Sequence, residues 1–425
     1  MVQKAQKVQK AQKIQETQEV PMIQRSEYLD QIAPFIGKNI IKVLVGVRRS
    51  GKSTILDQLH ERMLSDGVPA DTMLHLKFES KEYAHIATSS DLIEYVARHA
   101  PDKTTKTRPL RLFLDEIQEV DGWEKALRSF LVDYHADIYI TGSNAHVLSS
   151  DLATYITGRY VTINVFPLSF AEFAPAWRQA QGGDDRAAFR AYVTQGGFPF
   201  QHELSFDQQA SLHYLEDLFS TILLKDVIKR NSIRDVDLLE RITRYALEQE
   251  GHLLNAKGIS DFFKSERRKV AQETIANYLN AAQKAYVLYR VGREDAAGKK
   301  ILAFNEKIYV VDQGLRQALG IDNVAGIDQV LEGIVCMELM RRGYALTVGK
   351  VGNAEVDFIA RKEEKTEYYQ VSYLAADEST REREFGALEA IQDNYPKTVL
   401  SLDEFPYSRN GVNGVNLIDW LLGRV

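Results

Sequence analysis

The 425-residue chain contains a single cysteine, Cys336, which excludes a disulfide within the chain. No apolar stretch approaches the roughly 20 residues that a membrane-spanning helix needs, and the first residues are polar, unlike a secretory signal. The nine histidines are scattered without a cysteine partner, so a structural zinc site is not expected. Together these absences predict a cytoplasmic protein with no membrane partner.

Charge is distributed unevenly in an otherwise ordinary globular composition. The chain is 44% hydrophobic and 26% charged, has a net charge of −6, and is long enough for about three domains. Residues 251–310 nevertheless hold eleven lysines and arginines against six acidic residues, so the rest of the chain is acidic. This pattern predicts that one basic module contacts phosphates; a basic face that is merely solvated is the alternative.

A glycine-rich loop lies between an apolar run and a helical pattern. Residues 46–53 read Gly-Val-Arg-Arg-Ser-Gly-Lys-Ser and follow the apolar run 40–45. This is the context of a phosphate-binding loop, whose backbone N–H groups and helix N-terminus surround an anion. Its lysine reaches the β- and γ-phosphates and its serine ligates Mg²⁺. We therefore predict that ATP and Mg²⁺ are bound by Gly46, Arg49, Ser50, Gly51, Lys52, Ser53 and Thr54.

Two adjacent carboxylates end a later apolar run, 110–114. The carboxyl end of a strand is where an open α/β sheet places its ligand. Asp115 is predicted to hold Mg²⁺ and Glu116 to polarise the attacking water. An ordinary acidic strand end is the alternative, but the loop upstream favours a catalytic pair.

Two further residues are candidates for completing the site. Asn144 follows another apolar strand and would orient the water if that strand neighbours the first; Ser143 is the fallback, and a helix N-cap is the alternative role. Arg159 precedes a fifth strand and could reach the γ-phosphate of a neighbouring subunit, with a surface salt bridge as the alternative.

The order of predicted elements divides the chain. Strands at 40–45, 72–78, 110–114, 137–141 and 160–165 alternate with helical patterns and predict a parallel sheet covered on both faces. Later, helices at 256–264 and 270–284 precede a hairpin, a winged-helix pattern that either faces a nucleic-acid groove or only packs against protein. The predicted units are a low-complexity Gln-Lys tail (1–20), an ATPase core (21–175), a helical segment (176–250), a winged helix (251–320) and a small α/β unit (321–425).

Six motifs in order resemble a prokaryotic AAA+ ATPase family that carries a winged helix and a restriction-endonuclease-like domain of the PD-(D/E)xK type. They lie at 46–53, 114–118, 141–144, 158–160, 166–170 and 196–199, and the resemblance covers about residues 21–405. It implies an α/β AAA+ P-loop domain with a helical lid, followed by the winged-helix and nuclease-like domains. It also implies a ring, expected to be a homohexamer, with Asn144 as sensor and Arg159 as arginine finger.

The C-terminal unit resembles the nuclease-fold pattern in part. Glu332, Asp357 and Gln370 stand at the positions of the metal ligands, and they define a candidate second metal site. Ser372 stands where that pattern has lysine, so these residues favour a nucleic-acid-binding or assembly role over cleavage.

The leading hypothesis is a Mg²⁺-dependent, oligomeric ATPase that binds DNA and remodels it or translocates on it. One alternative is a nucleotide-controlled regulatory switch that binds a protein partner. The other alternative is an ATP-gated nuclease.

Overall fold

The first half of the chain is built around a five-stranded parallel sheet. A computed structural model describes residues 22–148, 156, 158–231, 233–295, 300–352, 354–375 and 377–425. The predicted tail, 1–20, lies outside the described residues. The strands are Ile41–Val45 (β1), Met73–Lys77 (β2), Leu110–Asp115 (β3), Ala136–Gly142 (β4) and Tyr160–Asn164 (β5), in the order β2-β3-β4-β1-β5. The helices are Ser26–Ile32 (α1), Lys52–Ser65 (α2), Ser89–His99 (α3) and Trp123–Asp133 (α4).

Both faces of this sheet are covered, which is why its strands are mostly apolar; the fully buried exceptions, Lys42 of β1 and Asp137 of β4, form an ion pair with each other. Successive residues of a strand point to opposite faces, so Val43 and Leu44 of β1 enter two different cores. Helix α2 covers the face of Leu44, Phe113 and Tyr139. Helices α3 and α4 cover the other face. The predicted parallel sheet is therefore confirmed.

Helices dominate residues 170–250. They are Phe170–Gln181 (α5), Asp185–Gln195 (α6), Gln208–Ile222 (α7) and Val236–Glu248 (α8). Between α7 and α8 the chain passes through a π-helical turn, Leu223–Ile228, and a short helical turn, Lys229–Asn231. Helix α5 begins with a capping box between Ser169 and Glu172, which satisfies the first free backbone N–H groups.

A second, eight-stranded mixed sheet occupies the rest of the chain. In sequence its strands are Leu253–Leu254 (β6), Leu288–Asp295 (β7), Lys300–Val310 (β8), Ala345–Val351 (β9), Ala354–Lys362 (β10), Lys365–Val371 (β11), Lys397–Ser401 (β12) and Val412–Asn416 (β13). Its helices are Ala256–Ser265 (α9), Gln272–Lys284 (α10), Gln313–Ala318 (α11), Ile327–Arg341 (α12), Glu378–Glu389 (α13) and Leu417–Leu421 (α14). The strand order is β13-β12-β11-β10-β9-β7-β8-β6.

This second sheet crosses the predicted boundary between residues 320 and 321. Strand β7 pairs in parallel with β9, and Arg293 lies opposite Val348. The predicted order of helix, helix and hairpin is present in α9, α10, β7 and β8. The hairpin turn at 296–299 lies outside the described residues. The winged-helix and nuclease-like assignments stay predictions.

In the part of the chain that the structure describes, no helix combines the length and the apolar character needed to cross a membrane.

Candidate ATP-binding and hydrolysis site

The phosphate loop lies at the carboxyl end of β1, and α2 begins inside the motif at Lys52. Two of its glycines are required by the backbone. A Cβ on Gly46 would lie 2.0 Å from the Val165 carbonyl oxygen. Gly51 has φ +97°, a left-handed conformation that other residues rarely adopt. The backbone of the loop therefore places its N–H groups next to the amino-terminal end of α2.

A chain of short hydrogen bonds joins the loop to β3 and β4. Ser53 Oγ donates to Asp115 Oδ1 at 3.0 Å, and Thr141 Oγ1 donates to the same oxygen at 2.6 Å. Burial raises the pKa of Asp115, whereas the Thr141 and Ser53 hydroxyls lower it. Serine hydroxyl and carboxylate oxygens are hard ligands of the kind that Mg²⁺ prefers. The structure thus brings the two predicted magnesium ligands into contact.

Lys52 is almost fully buried at the base of the loop. Its ammonium donates to the carbonyl oxygens of Gly46 and Val47, at 3.1 and 2.9 Å. Burial lowers the pKa of Lys52, while the neighbouring Glu116 and Asp115 raise it. The ammonium is therefore held close to both predicted catalytic carboxylates.

Glu116 is held in an unusual backbone conformation. Its φ is +54°, and its N–H donates to Thr141 Oγ1 at 2.8 Å. The side-chain amide of Gln118 donates to Glu116 Oε2. Left-handed conformations of non-glycine residues are concentrated at functional sites, and Arg49 in the loop has one as well, with φ +66°. The predicted catalytic carboxylate is consequently oriented from both its backbone and its side chain.

Lys52, Ser53 and Glu116 line one cleft with a volume of about 230 Å³, whereas Asp115 is buried behind this lining. Of the predicted nucleotide-binding residues, Arg49, Gly51, Lys52, Ser53 and Thr54 line this cleft, together with Glu116. Gly46 and Ser50 are buried behind the lining, where their carbonyl oxygens accept from Lys52 and Arg25.

Residues that the sequence did not single out also build the cleft. Arg25 is almost fully buried and donates to the carbonyl oxygens of Ser50 and Phe166, both at 2.8 Å, so it braces the loop. An isolated arginine carries no sequence signal for this role. Glu203 and the pair Pro199–Phe200 line the wall. The sequence motif at 196–199 predicts no role for its residues.

Asn144 follows β4, and β4 does pair with β1, with Val45 opposite Gly142. The condition for placing Asn144 near the phosphate loop is therefore met. Its side chain, however, is fully buried and is absent from the lining of the cleft. Asn144 Nδ2 donates to the backbone oxygen of Asp226 at 2.8 Å, and Ser143 Oγ donates to Asp226 Oδ1 at 3.2 Å. In this arrangement both polar residues contact the π-helical turn.

Arg159 is exposed and lies at the start of β5. Its carbonyl oxygen accepts from the Ile41 N–H at 2.9 Å, which places it beside the amino end of β1. The phosphate loop is at the other end of that strand, roughly 15 Å away at about 3.3 Å per residue. Arg159 therefore lies at the opposite edge of the sheet from the cleft of its own chain.

The candidate second metal site encloses a lysine. Lys307 Nζ, from β8, lies 2.8 Å from Glu332 Oε1 and 3.6 Å from Asp357 Oδ1. Gln370 Oε1 accepts from the Asp357 N–H at 3.2 Å. Among the described residues, no group of three carboxylate, imidazole or thiol side chains is placed to hold a metal. An ammonium thus lies between these carboxylates, and the second metal site stays a prediction.

The basic segment is partly neutralised. Arg268 pairs with Asp235 and Asp237, Arg290 with Glu306, Arg293 with Glu355, and Lys307 with Glu332. Lys264, Arg267 and Lys269 are exposed around the turn between α9 and α10, and no ion pair involves them within the described structure. Of the five exposed lysines and arginines of the segment that have no ion pair within the described residues, three therefore lie at this turn, and the other two are Lys257 and Lys284.

Two family models match successive parts of the chain. A family described as an AAA domain matches residues 38–174, and a domain of unknown function, DUF8612, matches residues 186–328. An uncharacterized protein of Haemophilus influenzae is 36% identical over 404 residues, 94% of this chain and 99% of the relative. The uncharacterized protein MJ1544 of Methanocaldococcus jannaschii is 30% identical over 393 residues, 90% of this chain and 85% of the relative.

Two solved structures are more distantly similar. The Walker-type ATPase PABY2304 of Pyrococcus abyssi is 14% identical, with a TM-score of 0.45 over 71% of this chain and 98% of that one. The Aeropyrum pernix ORC1 protein, in complex with DNA, is 12% identical, with a TM-score of 0.31 over 73% of this chain and 97% of that one.

The parallel sheet, the phosphate loop and the AAA-domain match define a P-loop ATPase of the AAA type. Within that class, the chain belongs to the family of the Haemophilus influenzae and Methanocaldococcus jannaschii proteins, which it matches over nearly its whole length.

Proposed function

We propose that this chain is a Mg²⁺-dependent ATPase that acts on DNA as a homo-oligomer, with a hexamer as the expected ring. The observation that carries the ATPase chemistry is the contact of Ser53 with Asp115 beside a cleft lined by Lys52 and Glu116. When bound, magnesium would neutralise charge on the phosphates. Lys52 would bind the β- and γ-phosphates, and Glu116 would accept a proton from the attacking water.

The oligomer is proposed from the position of Arg159. An exposed arginine at the far edge of the sheet cannot contribute to its own cleft, but it can reach a cleft on a neighbouring subunit. There it would stabilise charge that develops on the transferred phosphoryl group. Hydrolysis would then depend on assembly.

The DNA partner is proposed from the exposed cations at the turn between α9 and α10. Lys264, Arg267 and Lys269 precede α10, and Gln272 and Asn277 are exposed on that helix. A helix-turn-helix places the amino-terminal part of its second helix against base edges while nearby cations contact the backbone. The C-terminal unit could add a second contact.

The decisive experiment measures ATP turnover with single-stranded, duplex and four-way-junction DNA, and with no DNA. We expect one DNA form to stimulate turnover. The triple variant Lys264→Glu, Arg267→Glu, Lys269→Glu should lose that stimulation and keep its basal rate, because none of these residues lines the cleft.

The matched control is Lys103→Glu, Lys106→Glu, Lys125→Glu, which changes the net charge equally at exposed positions of the first domain. It should retain stimulation. Equal loss in both triple variants would show a general charge effect. Turnover that no DNA form changes would refute the DNA proposal and favour the nucleotide-controlled switch.

A further inference from the structure

Arg48, inside the phosphate loop, is held by two acids in different environments. Its Nε lies 3.6 Å from Asp226 Oδ2, and its Nη2 lies 3.1 Å from Glu79 Oε1. The Asp226 side chain is 2% exposed, whereas that of Glu79 is 51% exposed. One side of the guanidinium therefore contacts the buried Asp226 carboxylate, and the other side contacts the solvent-exposed Glu79 carboxylate.

The two contacts should differ in strength. An exposed ion pair contributes little, typically less than about 1 kcal/mol, because water screens it. Removing a partner of a buried charge costs more, since the remaining charge stays desolvated. Arg48 can thus leave Glu79 at small cost while Asp226 retains it.

The exposed side of Arg48 faces the place where phosphate is expected. Arg48 and Glu79 line the same cleft as Lys52 and Glu116. A guanidinium presents two parallel N–H groups that match two oxygens of a phosphate, and such charge-assisted pairs are stronger than neutral hydrogen bonds. A phosphate group is a better partner for this side chain than the single Glu79 oxygen.

On its buried side, Arg48 is connected through Asp226 to Asn144, the predicted sensor residue. Asp226 also accepts from Ser143 Oγ and, through its backbone oxygen, from Asn144 Nδ2. It lies in the π-helical turn Leu223–Ile228, and π-turns are frequent at functional sites. One buried residue therefore contacts the phosphate loop, the end of β4 and the helical segment.

We propose that Arg48 binds the terminal phosphate of ATP, exchanging Glu79 for it while Asp226 holds the guanidinium, so that this arginine distinguishes ATP from ADP. The inference rests on the proposed function in that ATP is taken as the ligand of this cleft. Asp226 is the positioning residue, and its backbone oxygen also accepts from Asn144 Nδ2.

The test measures equilibrium binding of ATP and ADP with Mg²⁺ in a Glu116→Gln background, which prevents turnover. Arg48→Ala should weaken ATP binding by about tenfold to a hundredfold and ADP binding by less than about threefold, the range expected for hydrogen bonds to a charged group. Arg48→Lys, which keeps the charge without the fork, should fall between. The control Arg98→Ala removes an exposed arginine–glutamate pair on α3 and should change neither affinity.

Glu79→Gln separates phosphate binding from a structural role of the pair. If Glu79 competes with phosphate, Glu79→Gln strengthens ATP binding or leaves it unchanged, opposite in sign to Arg48→Ala. If the pair only stabilises the loop, both variants weaken ATP and ADP binding together, and the inference is wrong.

Lys52→Ala distinguishes failure of the proposed function from failure of this inference alone. If it leaves ATP binding intact, the cleft is not the nucleotide site and the proposed function fails. If it abolishes binding while Arg48→Ala does not discriminate between nucleotides, only this inference fails.

Discussion

Replacing Glu116 with glutamine tests the hydrolytic site most directly. Glutamine has nearly the same size, and the bonds from Ser53 and Thr141 to Asp115 do not involve the Glu116 side chain. The Glu116 N–H keeps its bond to Thr141, and the Gln118 amide can donate to the new carbonyl oxygen. Geometry and nucleotide binding should therefore survive, and only the proton acceptor is lost.

The size of the effect follows from that single loss. A positioned general base contributes about 10²-fold to 10⁴-fold, so kcat should fall by that factor, equivalent to roughly 3–5 kcal/mol in the activation barrier. The assay is steady-state phosphate release alongside equilibrium ATP binding. ATP affinity should stay within about threefold of the unaltered protein, because no ligand of phosphate or metal has changed.

The matched control is Glu119→Gln, an exposed acid three residues further along. It should leave both kcat and ATP affinity unchanged. The reasoning is refuted if Glu116→Gln retains more than about a tenth of the unaltered kcat, since another group must then accept the proton. A comparable loss of ATP binding would instead show that Glu116 supports the cleft.

Two further predictions concern assembly and pH. Arg159→Ala should bind ATP normally and lose about 10³-fold in kcat. Mixing this variant with Glu116→Gln should restore part of the activity, because a Glu116→Gln subunit supplies the arginine and an Arg159→Ala subunit supplies the glutamate of a shared site. A mixture that stays inactive argues against action between subunits. Burial raises the pKa of Glu250 to about 7, although Arg316 lowers it. Because the folded state holds this proton more tightly than the unfolded chain, stability should fall as pH rises from about 4.5 to 7, by up to about 3 kcal/mol from this group. Urea unfolding at pH 5 and pH 7 should show a smaller fall for Glu250→Gln, and an equal fall in both proteins would contradict the assignment.

Local patterns predicted the first domain well. Strands buried on both faces are mostly apolar, so the runs at 40–45 and 110–114 could be recognised without knowing their neighbours. The phosphate loop could also be read directly, because its glycines satisfy backbone requirements that lie within the loop and the strand beside it. Ser53 and Asp115 were both predicted to hold Mg²⁺, and the structure places them in hydrogen-bond contact.

Partners that are distant in sequence could not be predicted in this way. Arg25 braces a loop that lies 25 residues away, and Lys307 reaches carboxylates on α12 and β10 from what was predicted to be a separate domain. The pairing of β7 with β9 is similarly non-local. Neither Arg25 nor Lys307 belongs to a sequence motif. Their contacts depend on how complete helices and strands pack together.

The sequence by itself predicted a phosphate-binding loop and placed two carboxylates at a strand end, because those features depend on residue type and short-range spacing. Tertiary structure alone decided how the other groups are used. In the folded chain Asn144 is buried against Asp226, and Arg159 lies at the end of the sheet opposite the phosphate loop. Arg48 lies between a buried and an exposed acid. The reason is physical: the strength of a charge or hydrogen bond depends on its solvent exposure and partners, and folding sets both.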